Sequence, residues 1–199
     1  MITWVFFIYS LMISKNKKKE INISQEWIYN YSLYYLSKYS SSSKNLEKVI
    51  KKKLIKLSKN NTLIIDEVDQ WINLTIQKLK ENKILDDLEF SKSKALSLFR
   101  SGKSSKMIYG KLKNFGISDE YIRIAISNIS ENHIDSNSNE DLDYNAALIF
   151  ARKKNISLDK LRNEPKDKIQ KSLKKFNNAG FSLSTLKKLV DLDLIDFQN

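Results

Sequence analysis

Residues 84–117 read ILDDLEFSKSKALSLFRSGKSSKMIYGKLKNFGI, and this stretch decides the fold. Its apolar residues recur at the three- and four-residue spacing of an amphipathic helix. Asp86 or Asp87 can start a first helix that ends near Gly102, because an aspartate accepts hydrogen bonds from the free N–H groups of a helix start. Ser104 can cap a second helix, which Gly116 ends in the left-handed conformation. The stretch therefore predicts two helices joined by a short turn.

The same spacing continues in both directions, and strict alternation is nearly absent. Upstream, an aromatic-rich helix runs into Tyr39, Ser43 can cap a lysine-rich helix, and a third helix follows the polar break at residues 60–61. Downstream, Ser118 can cap another helix. Further helices are predicted at residues 144–153, 165–179 and 184–192. The fold class is therefore predicted to be all-α.

A short pattern recurs at residues 79–84, 112–117 and 176–181. Each copy has an apolar residue, a polar turn of helix, a turn position that is Gly in two of the three copies, and a second apolar residue. Helical units of this kind cannot bury a face alone and stack on their neighbours. We expect tandem three-helix repeats stacked into an elongated, curved array, with repeats at residues 25–84, 85–130 and 144–199 and an acidic linker at residues 131–143.

Composition points away from a catalyst and towards a basic binding protein. The chain has 199 residues, with 35 Lys and Arg against 23 Asp and Glu, and its net charge is +12. This charge favours polyanions or acidic surfaces, although only four of the cations are Arg, the residue best suited to bidentate phosphate contacts. Four Gly and one Pro are too few for the many tight turns of a sandwich or barrel.

The sequence offers little for catalysis. There is no Cys, and the single His, His133, lies in the acidic linker, where we expect it to be solvated. No G-x-x-x-x-G-K or G-x-G-x-x-G motif occurs, and the residues Gly102-Lys103-Ser104 lack the upstream glycine and strand of a phosphate loop. We therefore expect no enzyme activity, no cofactor and no metal.

Residues 1–24 are predicted to be an apolar and basic N-terminal arm. The apolar run at residues 1–13 is too short to span a bilayer, and its lysines follow it rather than precede it as in a signal peptide. We expect translation to start at Met12, so that the first eleven residues belong to an over-extended gene model and a disordered basic arm follows. The alternative is a signal anchor, which would make the chain a membrane-attached helical scaffold.

The first predicted helix carries an aromatic cluster formed by Trp27, Tyr31, Tyr34 and Tyr35. Such rings could stack nucleic-acid bases. Their helical spacing is more typical of a core face, and we expect them to be core.

The stretch from Lys83 to Ser118 resembles the RecX family, the bacterial regulators of the RecA recombinase. The middle repeat of that family reads G-[YF]-[LI]-D-D, then an aromatic residue, an Arg, a Gly and I-x-x-x-L-x-x-x-G-[IV]. The matching residues here are Ile84, Leu85, Asp86, Asp87, Phe90, Arg100, Gly102, Ile108, Leu112, Gly116 and Ile117. Weaker echoes occur at Leu33, Leu36 and Ser40 and at Lys168-Ile169 and Gly180-Phe181-Ser182. The chain departs from the pattern at Lys83 and Ser104, where the family has glycine.

The resemblance implies a non-enzymatic modulator, a rod of three-helix repeats that lies along the RecA–DNA filament and restrains ATP hydrolysis, strand exchange and filament growth. The implied partner is the RecA filament, with single- or double-stranded DNA as a further partner of the lysine-rich faces, and the protein is expected to be a cytoplasmic monomer. A stand-alone basic DNA-binding protein is the alternative. The candidate contact face comprises Lys51, Lys52, Lys53, Arg100, Lys103, Lys106, Lys111, Arg123, Arg152 and Lys153. Expected to hold the fold are Asp86, Asp87, Phe90, Gly102, Ile108, Leu112, Gly116, Ile117 and Gly180.

Overall fold

The computed structural model describes residues 23–58, 65–133, 141–161 and 164–190, and within these ranges every regular element is a helix. In chain order the helices are α1 (Gln25–Leu36), α2 (Ser43–Ser58), α3 (Ile65–Glu81), α4 (Asp87–Arg100), α5 (Ser105–Asn114), α6 (Asp119–His133), α7 (Leu142–Lys153), α8 (Leu158–Leu161), α9 (Lys166–Asn178) and α10 (Leu183–Val190). The all-α class predicted from the sequence is confirmed. The expectations for the N-terminal residues 1–22 and for the middle of the acidic linker, residues 134–140, lie outside the described residues.

The helices pack in consecutive groups. Helix α1 packs against α3 with α2 beside both, α4 packs most extensively against α6 with α5 beside both, and α7 packs against α10. The short α8 and the longer α9 also contact α10. We call the groups α1–α3, α4–α6 and α7–α10 the first, second and third repeats of this helical-repeat fold, and the bounds predicted for the repeats stay a prediction.

Buried side chains form two cores. The first lies within α1–α3 and is closed by Leu85, two residues before the start of α4. The second is shared by the other two repeats, with Phe90, Ile108 and Leu112 from one and Phe150 and Phe176 from the other. Because the second and third repeats share one core, neither can bury its apolar face alone.

Aromatic rings fill the middle of the shared core. The ring of Phe150 lies 5.0 Å from that of Phe176 and 5.7 Å from that of Phe181, measured between centroids. At the edge nearer the first repeat, Phe90 meets Phe115 at 5.4 Å in an edge-to-face arrangement. These separations are those at which aromatic pairs attract beyond the burial of their area.

The recurring six-residue pattern closes three helices in the same way. The backbone N–H of the last residue donates to the carbonyl of the first, with distances of 2.9 Å in residues 79–84, 3.2 Å in 112–117 and 3.2 Å in 176–181. The residue before the last apolar one has a positive φ, +75° at Gly116 and +88° at Gly180, and Lys83 adopts +55°. This is the Schellman arrangement, and Lys83 adopts it without being glycine.

Helix starts follow the predicted caps with one exception. Asp86 accepts from the N–H groups of Leu88 and Glu89, and Ser104 accepts from the N–H of Met107. The prediction that Ser43 caps α2 is wrong, since Ser43 is the first residue of that helix. The cap is Ser42, whose Oγ accepts from the N–H of Asn45 at 3.2 Å.

Gly102 is where α4 meets α7. A Cβ placed on Gly102 would lie 2.8 Å from both the Cα and the N of Phe150, and the φ of Gly102 is +73°. The atoms in the way belong to a helix backbone, which cannot turn aside as a flexible side chain can. The contact between the second and third repeats therefore requires glycine at this position.

We predict that Gly102→Ala lowers the free energy of unfolding by about 2–4 kcal/mol, from left-handed strain and overpacking together. Urea denaturation followed by circular dichroism measures the loss. The matched control is Gly110→Ala, inside α5, where an added Cβ meets nothing within 4 Å. This control should raise stability by about 0.5–1 kcal/mol. A Gly102→Ala variant as stable as the control would contradict the described contact.

Candidate interaction surface

Consecutive repeats are joined by serine hydroxyls that reach across the junction. Ser42, before α2, donates through Oγ to the carbonyl of Phe115 at 2.5 Å. Ser104, before α5, donates in the same way to the carbonyl of Ala179 at 3.1 Å. Phe115 and Ala179 are the residues that follow α5 and α9. Each serine thus caps its own helix and also satisfies the carbonyl end of a helix in the next repeat.

An aspartate completes each junction. The N–H of Ser43, at the start of α2, donates to Asp87 Oδ1 at 2.7 Å, and the N–H of Ser105, at the start of α5, donates to Asp143 Oδ1 at 2.6 Å. Lys80 adds an ion pair to Asp87 at 3.1 Å. The two junctions therefore use the same pair of contacts, a serine hydroxyl on a carbonyl and a carboxylate on the first N–H of a helix.

The junction changes the acidity of Asp87. Burial of the carboxyl acts to raise its pKa, but the N–H of Ser43 and the ammonium of Lys80 stabilise the charged form more strongly, so the pKa of Asp87 lies below its usual value. Asp87 was predicted from the sequence to hold the fold, and this role stays a prediction. Its charge links the first repeat to the second.

The ten predicted contact cations differ in their exposure and in the partners they already have. Lys51 is paired with Glu47 at 3.1 Å and with Asp69 at 3.0 Å, so its charge is already partly neutralised. The ammonium of Lys53 lies 5.9 Å from the centroid of the Tyr31 ring. The exposed members of the set are Lys52, Arg100, Lys106, Arg123, Arg152 and Lys153, and the half-buried ones are Lys51, Lys53, Lys103 and Lys111.

Two of the ten, Arg100 and Lys153, line one depression between the C-terminal ends of α4 and α7. Its volume is about 430 Å³, and Ser93, Ser97 and Ser101 line it as well. A second depression of about 560 Å³ begins at the other end of α4, where Lys38, Tyr39 and Lys83 contribute to its wall. Ser93 lines both. We call the combined surface, from Tyr39 along α4 to Lys153, the α4 groove.

Of the residues that line the α4 groove, the sequence predicted Arg100 and Lys153 as contact residues but missed Ser93, Ser97, Ser101 and Tyr39. The signal that could have found them is the spacing of Ser93, Ser97 and Ser101, which places three hydroxyls four residues apart along one face of α4. Tyr39 had no such signal, because only the packing of the loop after α1 brings it to this surface.

The aromatic cluster of α1 is only partly core. Trp27, Tyr31 and Tyr35 pack on the first core, and the rings of Trp27 and Tyr31 stack at 5.3 Å. Tyr34 is instead 59% exposed, so the expectation that it belongs to the core is wrong. Lys38 donates to its hydroxyl at 2.7 Å, and this bond lowers the pKa of Tyr34. Tyr34 is exposed because α1 packs against other helices on one side only.

Among the described residues, no group of three or more His, Asp or Glu side chains could hold a metal ion. None of the helices in those ranges is both long and apolar enough to cross a membrane.

Equivalent junctions between helical groups define this chain as a tandem helical-repeat protein. Comparisons with known proteins show which proteins this chain resembles. The chain is 27% identical over 180 residues to the regulatory protein RecX of Myxococcus xanthus (strain DK1622), a match that covers 89% of this chain and 91% of that protein. No family model matches the sequence.

Solved structures show the same fold. A crystal structure of regulatory protein RecX superposes with a TM-score of 0.58 at 21% identity, covering 84% of this chain and 71% of the other. The crystal structure of RecX from Lactobacillus salivarius also gives 0.58 at 21% identity, covering 86% of this chain and 97% of the other. The resemblance to the RecX family and the helical-repeat fold predicted from the sequence are confirmed.

We predict that Asp87→Ala lowers the free energy of unfolding by about 1–2 kcal/mol at pH 7, because the N–H of Ser43 loses a charged acceptor. The pKa of Asp87 is depressed in the folded state, so its contribution is present above the unfolded pKa of about 3.9 and is lost as pH falls through the folded value. Urea unfolding at pH 7 and pH 3 measures the difference from wild type.

The matched control is Glu120→Ala, an exposed carboxylate in the first turn of α6, which should change stability by less than about 0.5 kcal/mol. An Asp87→Ala variant that is as stable as wild type at pH 7, or equally destabilised at both pH values, would contradict the described junction.

Proposed function

We propose that this chain is a regulator of the RecA recombinase that binds the RecA–DNA filament and inhibits ATP hydrolysis, strand exchange and filament growth without itself catalysing a reaction. The observation that carries the proposal is the similarity to a regulatory protein RecX along 89% of the chain. The proposal also takes the protein to be a monomer that acts in the cytoplasm, where its polymeric partner forms.

The architecture supports this mode of action on physical grounds. An array of repeats presents several weak contact points at fixed spacings, and a helical filament presents matching points on successive subunits. Once one contact forms, the others form at a high effective concentration, so modest individual affinities add up to tight binding. A net charge of +12 also speeds the approach to a filament that contains a polyanion.

The contact face proposed for the filament is the set of cations predicted from the sequence, which includes Lys103, Lys106 and Lys111 on and before α5. No ion pair involves these three lysines within the described part of the chain. They are therefore available to acidic groups of a partner.

The test is ATP hydrolysis by RecA from the same organism on single-stranded DNA, with this protein added well below the RecA concentration. We expect hydrolysis to fall, because one array contacts several subunits and stops the growth of a filament. The effect should persist at a salt concentration where binding of this protein to naked DNA is lost, since phosphate-driven binding weakens steeply with salt. Unchanged hydrolysis would contradict the proposal, and inhibition that vanishes together with DNA binding would favour the stand-alone DNA-binding alternative.

Charge reversal locates the contact face. The variant Lys103→Glu/Lys106→Glu/Lys111→Glu should need a concentration about tenfold higher or more to give the same inhibition, because like charges at an interface repel. The matched control Lys166→Glu/Lys171→Glu/Lys175→Glu makes the same charge change at exposed positions of α9. Equal loss in the two variants would show that net charge alone matters and would contradict the proposed face.

A further inference from the structure

A groove of about 450 Å³ lies between α9 and α10. Buried side chains of Leu173, Phe181 and Leu186 form its floor, and Leu183 lines it with 49% of its surface exposed. Exposed polar residues of α9 line it as well, and these are Gln170, Lys174 and Asn177. We call this surface the α9–α10 groove. Its apolar lining is accessible to a ligand.

The corresponding place in the second repeat is closed by polar contacts. The six-residue pattern at residues 112–117 and 176–181 sets the register between the two repeats. In that register the counterparts of Leu173, Asn177 and Leu183 are Tyr109, Lys113 and Asp119. The hydroxyl of Tyr109 donates to the carboxylate of Asp119, and Lys113 pairs with the same carboxylate at 3.0 Å. A hydrogen bond and an ion pair therefore bridge α5 and α6 where the third repeat has an open groove.

The third repeat cannot form this bridge. Leu173 has no hydroxyl to donate, and Leu183 has no carboxylate to accept. Leu183 also lacks the favourable charge that Asp119 places in the first turn of its helix. Apolar side chains in place of a polar bridge are typical of a surface that another apolar group covers.

The sequence that follows α10 has the chemistry to cover this surface. Residues 191–199 read DLDLIDFQN, with four apolar residues, three aspartates and no cation. Lys174 lines the groove, and the exposed Lys187 lies one turn after Leu183 on α10. No ion pair involves either lysine within the described part of the chain. Their charges complement those of the aspartates.

Residues 191–199 do not continue the apolar face of α10. In the second repeat, Ile122, Ala125 and Ile129 of α6 are buried. Their counterparts in the third repeat are Leu186, Leu189 and Asp193. An aspartate in the place of Ile129 would put an unpaired charge into the shared core, which is costly. The pattern therefore favours a path across the α9–α10 groove over a further turn of α10.

The segment is also long enough to reach the groove. A turn at residues 179–182 joins α9 to α10, so the chain leaves α10 at the end away from that turn. The eight residues of α10 span about 12 Å, whereas nine extended residues reach about 30 Å. The segment can therefore reverse and run back towards Asn177 and Leu183, beside the turn. Because it is on the same chain, it meets the groove at a high effective concentration.

We propose that residues 191–199 fold back along the α9–α10 groove and fill it. Their apolar side chains pack against Leu173 and Leu183. Their aspartates lie near Lys174 and Lys187. The groove is thus a site for a peptide in which apolar residues alternate with carboxylates, and the chain supplies that peptide itself. The contact needs no recombinase, so it goes beyond the proposed function and can fail or succeed independently of it.

The first experiment is limited proteolysis of the full chain with chymotrypsin, followed by mass spectrometry of the fragments released from residues 191–199. Cleavage follows the population in which the segment has left the groove. Leu183→Asp should raise its rate by about tenfold or more, because it removes an apolar contact and adds a charge that repels the aspartates. Aspartate is compatible with the fold at this position, since Asp119 occupies the equivalent place in α6.

The matched control is Ser184→Asp. It makes the same charge change at the next residue, which is exposed and does not line the groove, and its segment should be cleaved at the wild-type rate. Circular dichroism checks that both variants keep their helices. Equal cleavage rates in the two variants would overturn the proposal.

Disulfide trapping tests the same contact with different residues. The chain has no cysteine, so an introduced pair can react only with itself. Asn177→Cys/Gln198→Cys should form a bond within one chain on mild oxidation, because the docked segment ends near Asn177. The control Lys175→Cys/Gln198→Cys moves the first thiol by two residues, to the opposite side of α9, and should react at least about tenfold more slowly.

Non-reducing electrophoresis and intact mass distinguish the outcomes. Equal rates for the two cysteine pairs would overturn the proposal, because the segment would then have no preferred place. A bond that joins two chains would also overturn it, and would assign the groove to residues 191–199 of a second copy.

Discussion

Ser42 and Ser104 each perform two tasks at once, capping a helix of their own repeat and donating a hydroxyl to the carbonyl end of a helix in the next. The carboxylates of Asp87 and Asp143, which belong to the next repeat in each case, accept the N–H of the first residue of the same helix. Both junctions use these groups. The first repeat is therefore placed on the second in a similar way to the second on the third.

Helix α4 takes part in both junctions, and this explains why the α4 groove spans them. Its start, at Asp87, meets α2 of the first repeat, and its end, at Gly102, meets α7 of the third. A surface along α4 therefore spans all three repeats. Any partner that lies along this groove contacts the part of the molecule whose shape depends most on the junctions.

The sequence predicted the elements better than the contacts between them. The cap at Asp86 and the helix stops at Gly102 and Gly116 could be read locally, because each depends on residues within one turn. The bond between Ser43 and Asp87 spans 44 positions, and no local rule predicts it. The exposure of Tyr34 and the meeting of Arg100 with Lys153 likewise depend on how whole helices pack. At Lys83 the packing overrides local preference. The end of the helix holds this residue at a φ of +55°, a backbone conformation that local preference would not predict for lysine.

Cooperativity between repeats is the most direct test of this account. Trp27 and Trp71 both lie in the first repeat, so in a Trp4→Phe background tryptophan fluorescence reports that repeat alone, while far-ultraviolet circular dichroism reports all the helices. The junction described here predicts that urea unfolding followed by the two signals gives coincident transitions with one midpoint. A fluorescence transition clearly separated from the loss of helix would show that the first repeat unfolds on its own and would contradict the account.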